Sequence, residues 1–312
     1  MKIITSEEIR KLNISPEQSV EWVRKAFSIK TLCQLPPKIS LHPRGNDFFN
    51  TMPCMLPDEF HTFGCKVVSR VKGNHPALRS EMVMFDTLTG EMTALVNTDW
   101  ITARRTGAVA TLAINTLRSS SARVYSFIGL GAMAYATLDC FFATNTDKQL
   151  EIRLKRYKDQ AERVVEHYKH IPNTTFVICD TMDELVEGAD VVVSCITDAD
   201  GLLVDDTTKF NPGVLVVPVH TRGFQNCDTV FDKVFADDEG HVKGFKYFNE
   251  FRQFGELGQV LSGEIAGRQS DSERILSYNI GLALFDVYFA FQIENIMNQQ
   301  ITPPITAIAA GF

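Results

Sequence analysis

Apolar positions follow two regimes along the chain. From residue 15 they recur at helical spacing. Ser15-Pro16-Glu17-Gln18 has the form of a capping box with Pro at the first helical position. Val20, Trp22, Val23, Ala26 and Phe27 mark one apolar face of the helix that follows. Short β-type runs come next, parted by Pro and Gly: KISLH, DFFNTM, CKVVSRV, EMVMFD and TALVN. Asp86-Thr87-Leu88-Thr89-Gly90 predicts a tight hairpin loop between two of them. Residues 99–117 predict a helix rich in Ala, Thr and Leu, with Thr98 or Asp99 as its cap.

Arg118-Ser119-Ser120-Ser121 marks the boundary between the regimes. After it, strands alternate with helices. Val124-Tyr125-Ser126-Phe127-Ile128 is a continuous apolar run suited to a buried parallel strand. Residues 134–142 predict a helix, 152–154 a strand, and 159–168 a second helix. Strands are expected at 176–178, 191–193 and 214–219, with 182–186 helical between the first two. Such alternation builds βαβ units and a doubly wound parallel sheet. Residues 275–296 predict a long apolar helix that returns to the first domain.

Composition narrows the class of function. Of 312 residues, 45% are hydrophobic and 22% charged, which suits a globular chain with one large or two modest cores. Lys+Arg total 31 against 38 Asp+Glu, a net charge of −7, which argues against a nucleic-acid partner. No apolar run reaches the about 18 residues of a membrane span. The opening MKIITSEEIRKLN carries Glu7 and Glu8 and lacks the apolar core of a signal peptide, so a cytoplasmic protein is expected. Cys33, Cys54, Cys65, Cys140, Cys179, Cys195 and Cys227 form no CxxC pair, and reduced, buried thiols are expected. Asp237-Asp238-Glu239 has no nearby ligand partner, so a solvated turn is expected there and no metal.

The sharpest motif is Gly129-Leu130-Gly131-Ala132-Met133-Ala134, a GxGxxA loop between a strand and a helix. Gly129 permits the tight turn, Gly131 lets the backbone approach a pyrophosphate, and Ala134 allows close helix–strand packing. The phosphates then meet N–H groups at the positive helix end, including those of Ala132 and Met133. An NAD-preferring loop carries Asp or Glu at the end of the second strand, about 20 residues on. Lys155 and Arg156 stand there instead. Two cations attract a 2′-phosphate, so NADP(H) is favoured over NAD(H). Cys195-Ile196-Thr197 follows the strand VVVS, where Rossmann folds bring a loop over the nicotinamide ribose.

These segments resemble the ornithine cyclodeaminase/mu-crystallin family. The residues that carry the resemblance are Phe85-Asp86-Thr87-Leu88-Thr89-Gly90, Ile101-Thr102-Ala103-Arg104-Arg105-Thr106-Gly107-Ala108, the glycine loop, Gly188-Ala189-Asp190-Val191-Val192 and Gly255-Glu256-Leu257-Gly258. The resemblance implies an α/β protein with a Rossmann domain over residues 119–275. An α+β substrate-binding and dimerisation domain would comprise 1–118 and 276–312. It also implies a homodimer joined through that domain and an active site in the cleft between domains. Lys38, Lys66 and Arg105 fall where the family binds the substrate α-carboxylate, though the family often has Arg at the first position. A lone carboxylate in a dry cleft needs such paired cations. Thr106 resembles the family's phosphate contact from the first domain.

Two departures bear on the reaction. Family cyclodeaminases carry a Glu before the Met-Pro dipeptide and an Asp in a loop after a late strand. Here Asn50 stands at the Glu position, ahead of Met52-Pro53, and His220 aligns with the Asp. Asn cannot exchange protons as a carboxylate does. His cannot offer a distal ammonium an anionic partner. His220 is itself a candidate proton donor, as is Lys66, and a structural histidine is the other reading of His220. The expected activity is NAD(P)H-dependent: reduction of a ketimine or cyclic imino acid, or the reverse reaction of an amino-acid dehydrogenase. An ornithine- or lysine-type cyclodeaminase is the alternative enzyme, and a non-catalytic NADP-binding carrier of small ligands is the alternative of another class.

Overall fold

A computed structural model of the chain describes residues 1–76, 78–145, 149–197, 199, 201–221, 223–224 and 228–301. Cys227 and residues 302–312 of the expected first domain lie outside these. The chain runs through β1 (Lys2–Ile4), α1 (Ser6–Lys11), α2 (Pro16–Ile29), β2 (Ile39–Leu41), β3 (Phe48–Met55), β4 (Thr62–Arg70), β5 (Leu78–Asp86), β6 (Met92–Asn97) and α3 (Asp99–Leu117). It continues through β7 (Val124–Ile128), α4 (Ala132–Ala143), β8 (Leu150–Lys155), α5 (Gln160–Tyr168), β9 (Thr174–Cys179), α6 (Met182–Val186), β10 (Val191–Ser194) and β11 (Leu215–Pro218). Last come β12 (Lys233–Ala236), α7 (Glu239–Val242), β13 (Phe254–Glu256), α8 (Leu257–Ser262), β14 (Ile275–Tyr278) and α9 (Ala283–Ile301). Among the described residues, no helix is long and apolar enough to cross a membrane.

The chain divides into two units. The first comprises residues 1–14, 34–101 and 286 onward, and the second 15–33 and 102–285. In the first unit, a six-stranded sheet has the order β1-β6-β5-β4-β3-β2. β2 to β6 pair as antiparallel neighbours, and β1 adds parallel to β6. The expected hairpin joins β5 and β6, with Asp86 Oδ1 accepting from the N–H groups of Leu88 and Thr89 at 2.8 and 2.9 Å. Strand alternation gives the sheet one buried face, carrying Met52, Lys66, Val68, Met82 and Met84. Residues of α9 pack in this unit: Asp286 reaches Lys66, and Tyr288 and Phe291 meet Phe60 edge to face. The opposite face exposes Ile39, Leu41, Phe49 and Val67.

The second unit is a fully parallel eight-stranded sheet of order β13-β12-β14-β11-β10-β7-β8-β9. β7, β10, β11, β12 and β14 are almost wholly buried, as strands covered on both faces must be. The order reverses at β7, which lies between β10 and β8, so the doubly wound fold has its switch point there. Helix α2 buries the predicted face of Val20, Trp22, Val23, Ala26 and Phe27 in this unit.

Several local expectations need correction. Only the Ser15 half of the proposed capping box is seen, its hydroxyl accepting from Gln18 N–H at 3.1 Å. Neither candidate caps α3: Asp99 Oδ1 accepts instead from Ser80 N–H at 2.8 Å, and Thr98 Oγ1 is buried with no hydrogen-bond partner. Ile275–Tyr278 is strand β14 rather than helix, and α9 starts only at Ala283. The run Ile275-Leu276-Ser277-Tyr278 is too short to show a period, so the sheet position between β11 and β12 decides its conformation. The run Asp237-Asp238-Glu239 is no solvated turn throughout. Asp237 is fully buried, with His241 Nδ1 and Gly281 N–H on its two oxygens.

Candidate functional site

The glycine loop leaves β7 at the switch point. Gly129 has φ +81°, a left-handed conformation that a side chain would strain. A Cβ there would lie 2.6 Å from the backbone of Cys195 and Ile196. Parallel pairing explains the approach: Ile128 opposes Ser194, and Cys195 N–H donates to Ile128 O at 2.8 Å. The structure thus brings together two segments chosen from the sequence, the loop at 129–131 and the strand end at 195–196. Ile196 is half-buried and Thr197 exposed.

Gly131 differs. A Cβ at this position would meet nothing within 4 Å, so it borders open space. It is the N-cap of α4, and no side chain caps that helix start. Ala132 is exposed, Met133 half-buried and Ala134 fully buried. An uncapped helix start behind an open glycine is a cradle for a phosphate. At the carboxyl end of β14, Asn279 Oδ1 is buried with no hydrogen-bond partner, while its amide group donates to Ser277 O at 2.8 Å. These features fit a nicotinamide dinucleotide laid along the carboxyl edge of the sheet. Gly131→Val is therefore expected to leave the fold intact and abolish cofactor binding, because its Cβ meets no protein atom within 4 Å while the branched side chain fills the cradle. Calorimetric titration with NADPH, beside circular dichroism of the variant, checks this; normal binding would show that the loop holds no pyrophosphate.

Other predicted cofactor residues have partners of their own. Lys155 Nζ donates to Asp180 O at 2.9 Å. Arg156 binds Asp180 Oδ1 at 2.5 Å and also pairs with Glu162. Thr106 is buried, and its hydroxyl donates to Thr102 O at 2.7 Å within α3. Cys195 is buried, and burial pushes its thiol up to about 12, so it stays protonated and is no nucleophile near neutrality. His220 Nε2 lies 2.6 Å from Ser194 Oγ at the end of β10, and its ring stacks on Phe224.

The first unit carries the other candidates. Lys66 lies at the centre of β4 opposite Met52, and Asn50 on β3 lies opposite Val68. Directly opposed residues of an antiparallel pair share a face, so Asn50 and Lys66 project to the same buried side. Lys66 is wholly buried, and its Nζ donates to Asp286 Oδ2 at 2.6 Å. Asn50 is only half-buried as a residue, but its Oδ1 is buried with no hydrogen-bond partner. Lys38 is exposed, just ahead of β2. In the second unit, Arg105 is 5% exposed on α3.

Sequence reasoning missed Asp286, Gly281, Asp237 and Asn279. For Asp286 a signal existed: a lone acid in the apolar run Ala283-Leu284-Phe285-Asp286-Val287-Tyr288-Phe289 demands a buried partner. For Asp237 the acidic neighbours hid the signal. Near it, Lys30 bonds Asp238 and Glu256 at 2.7 Å each. Burial disfavours the charge on Lys30, but the two carboxylates more than offset this and raise its pKa. Among the described residues, no group of three or more His, Cys, Asp or Glu side chains is placed to hold a metal ion.

Fold and loop together define a Rossmann-type nicotinamide-dependent oxidoreductase. The chain belongs to the ornithine cyclodeaminase/mu-crystallin family, whose sequence profile matches residues 2–300. It is 26% identical over 275 residues to the nodulation efficiency protein NfeD of Rhizobium meliloti, covering 85% of this chain and 84% of that one. It is 26% identical over 312 residues to a Delta(1)-pyrroline-2-carboxylate reductase of Bacillus cereus, covering 93% and 94%. The structure of Thermococcus litoralis Delta(1)-pyrroline-2-carboxylate reductase, in complex with NADH and L-proline, superposes with a TM-score of 0.83 at 21% identity over 96% of this chain and 98% of that one.

Proposed function

We propose that this protein reduces a cyclic imino acid of the Δ1-pyrroline-2-carboxylate type, at the C=N bond next to the carboxylate. The observation that carries the reading is Asn50 Oδ1, a buried acceptor with no hydrogen-bond partner on the sheet face that holds Lys66. A protonated imine offers one N–H donor, which suits one neutral acceptor. A buried acceptor left unmatched costs about 1–3 kcal/mol, which a ligand donor would recover. The Bacillus cereus relative, 26% identical over nearly the whole chain, supports the same substrate class.

In this mechanism Lys66, Arg105 and Lys38 hold the substrate carboxylate. A nicotinamide held by the glycine loop would supply hydride chemistry at the imine carbon. Asn50 orients the ring nitrogen by accepting its N–H, and that proton stays on nitrogen as the amine forms. Lys66 or His220 manages the further proton on the amine nitrogen. Cyclodeamination would need a carboxylate to take a substrate proton, and Asn50 is not one. Gly129, Gly131, Ala132, Met133, Thr106, Cys195, Ile196 and Thr197 would hold the dinucleotide. The nucleotide-binding domain proposed for residues 119–275 lies within the second unit.

NADP(H) is the preferred cofactor in this reading. Lys155 and Arg156 end β8 and its following turn, where a 2′-phosphate would lie. Arg156 must exchange Asp180 and Glu162 for the phosphate, so the preference is smaller than two uncommitted cations would give. Replacing both by Ala is expected to weaken NADPH by about tenfold or more and NADH by less than about twofold. Equal affinity of the unmutated protein for the two cofactors would end the proposal. The exposed face of Ile39, Leu41, Phe49 and Val67 supports a homodimer formed through the first unit. The buried thiols of Cys54, Cys140, Cys179 and Cys195 support a cytoplasmic, reducing location.

The decisive experiment follows NADPH absorbance with Δ1-pyrroline-2-carboxylate, its piperideine homologue, pyruvate with ammonia, and ornithine. Oxidation of NADPH by the cyclic imines is expected. Release of ammonia from ornithine without net cofactor consumption would replace the proposal by a cyclodeaminase. Tight NADPH binding with no turnover of any substrate would replace it by a carrier.

A further inference from the structure

Gly281 lies in the segment joining β14 to α9, with φ +100°. A Cβ built on it would lie 1.8 Å from Arg105 Nη1 and 2.7 Å from its Cζ. The Arg105 guanidinium therefore occupies the volume that any side chain at 281 would need. The backbone beneath it is pinned. Gly281 N–H donates to Asp237 Oδ2 at 2.5 Å, and Asp237 Oδ1 takes His241 Nδ1 at 3.0 Å. Asp237 N–H donates to Tyr278 O at 3.0 Å, which ties the end of β12 to the end of β14. Lys30 Nζ donates to Asp237 O at 3.0 Å and joins the same end to Glu256, the last residue of β13, at 2.7 Å. A buried carboxylate with a fixed partner on each oxygen costs free energy to bury, and in return it holds one loop in one place.

We propose that Gly281, pinned by Asp237, is a positioning residue that sets where the Arg105 guanidinium meets the substrate carboxylate. The inference rests on the reading of Arg105 as a carboxylate clamp. A guanidinium–carboxylate pair is directional, because two parallel N–H groups must meet two oxygens. A displacement of about 1 Å is enough to spoil such a pair. An alanine at 281 has no room unless the guanidinium moves away, and the arginine side chain is flexible enough to yield where backbone would not. The methyl group would thus be read out in ligand binding and, because Ala is strained at this positive φ, in stability as well.

The test is a double-mutant cycle on the NADP⁺-loaded protein, titrated with L-proline and with prolinamide. Gly281→Ala is expected to weaken L-proline by about tenfold and prolinamide by less than about twofold. On an Arg105→Lys background, which lacks the Nη atoms nearest 281 and the planar fork they form, the same change is expected to cost less than about twofold for either ligand. Asp237→Ala releases the Gly281 N–H without adding a side chain at 281, and it should reproduce the pattern if Gly281→Ala fails to fold. Equal losses with Arg105 intact and on the Arg105→Lys background, or equal losses for acid and amide, would overturn the positioning role while leaving the clamp standing. Unchanged L-proline binding in Arg105→Lys itself would overturn clamp and positioning together.

Discussion

Arg105→Ala is expected to weaken a carboxylate substrate by about 2–4 kcal/mol, roughly thirtyfold to a thousandfold. Arg105 is 5% exposed, so the carboxylate it would meet has little water to fall back on. The comparison that decides is between acid and amide. An amide analogue binds poorly to the unmutated protein, because it brings no charge to the clamp. Arg105→Ala should therefore harm it far less, since two changes on one contact cannot act independently. Cofactor affinity should hardly move. Equal losses for acid and amide would show that Arg105 serves the fold, and the carboxylate clamp would be abandoned.

The second large effect concerns Lys66 and Asp286. Both side chains are almost fully excluded from solvent, and they meet at 2.6 Å. Asp286→Ala would leave an ammonium group buried without its counter-charge, at an expected cost of about 3–5 kcal/mol in unfolding free energy. The doubly substituted Lys66→Met, Asp286→Leu protein should recover most of that loss, because an apolar pair of similar volume needs no compensation. It should do so without any imine reductase activity, since the cation at 66 is gone. Urea unfolding of the three proteins measures the first point and NADPH oxidation the second. If Asp286→Ala costs less than about 1 kcal/mol, the pair is not the dry ion pair described here.

Local features of the fold were legible wherever one short segment determined them. The GxGxxA loop follows a continuous apolar strand and opens a helix, and each of those is encoded within a few residues. The apolar face of α2 and the 86–90 hairpin were legible for the same reason. Ile275–Tyr278 was not, because only its neighbours β11 and β12, distant in sequence, make it a strand. The site divides in the same way. Lys66 and Arg105 sit in recognisable segments. Their supports, Asp286 and Gly281, lie far along the chain and reveal their roles only by meeting partners in three dimensions. Asp237 shows the opposite failure: an acidic run suggested solvent, but only its neighbours Asp238 and Glu239 keep some exposure. Lys155 and Arg156 were found, but the carboxylates that hold Arg156 come from α5 and the end of β9, and no pattern around residue 156 announces them.

The Lys66–Asp286 pair also bears on synthesis of the chain. The partners are 220 residues apart, and the acid lies on the last described helix. A ribosome releases β4 long before it has made α9. Until then the sheet of the first unit has a central strand whose buried ammonium group lacks the Asp286 carboxylate it meets in the finished fold. Closing the strands over an ammonium group that lacks this carboxylate is costly, so early closure is disfavoured. The second unit takes in only the first turn of α9, ending at Phe285, which packs on Phe27 of α2, so its chain is complete one residue before the acid that Lys66 meets has been made.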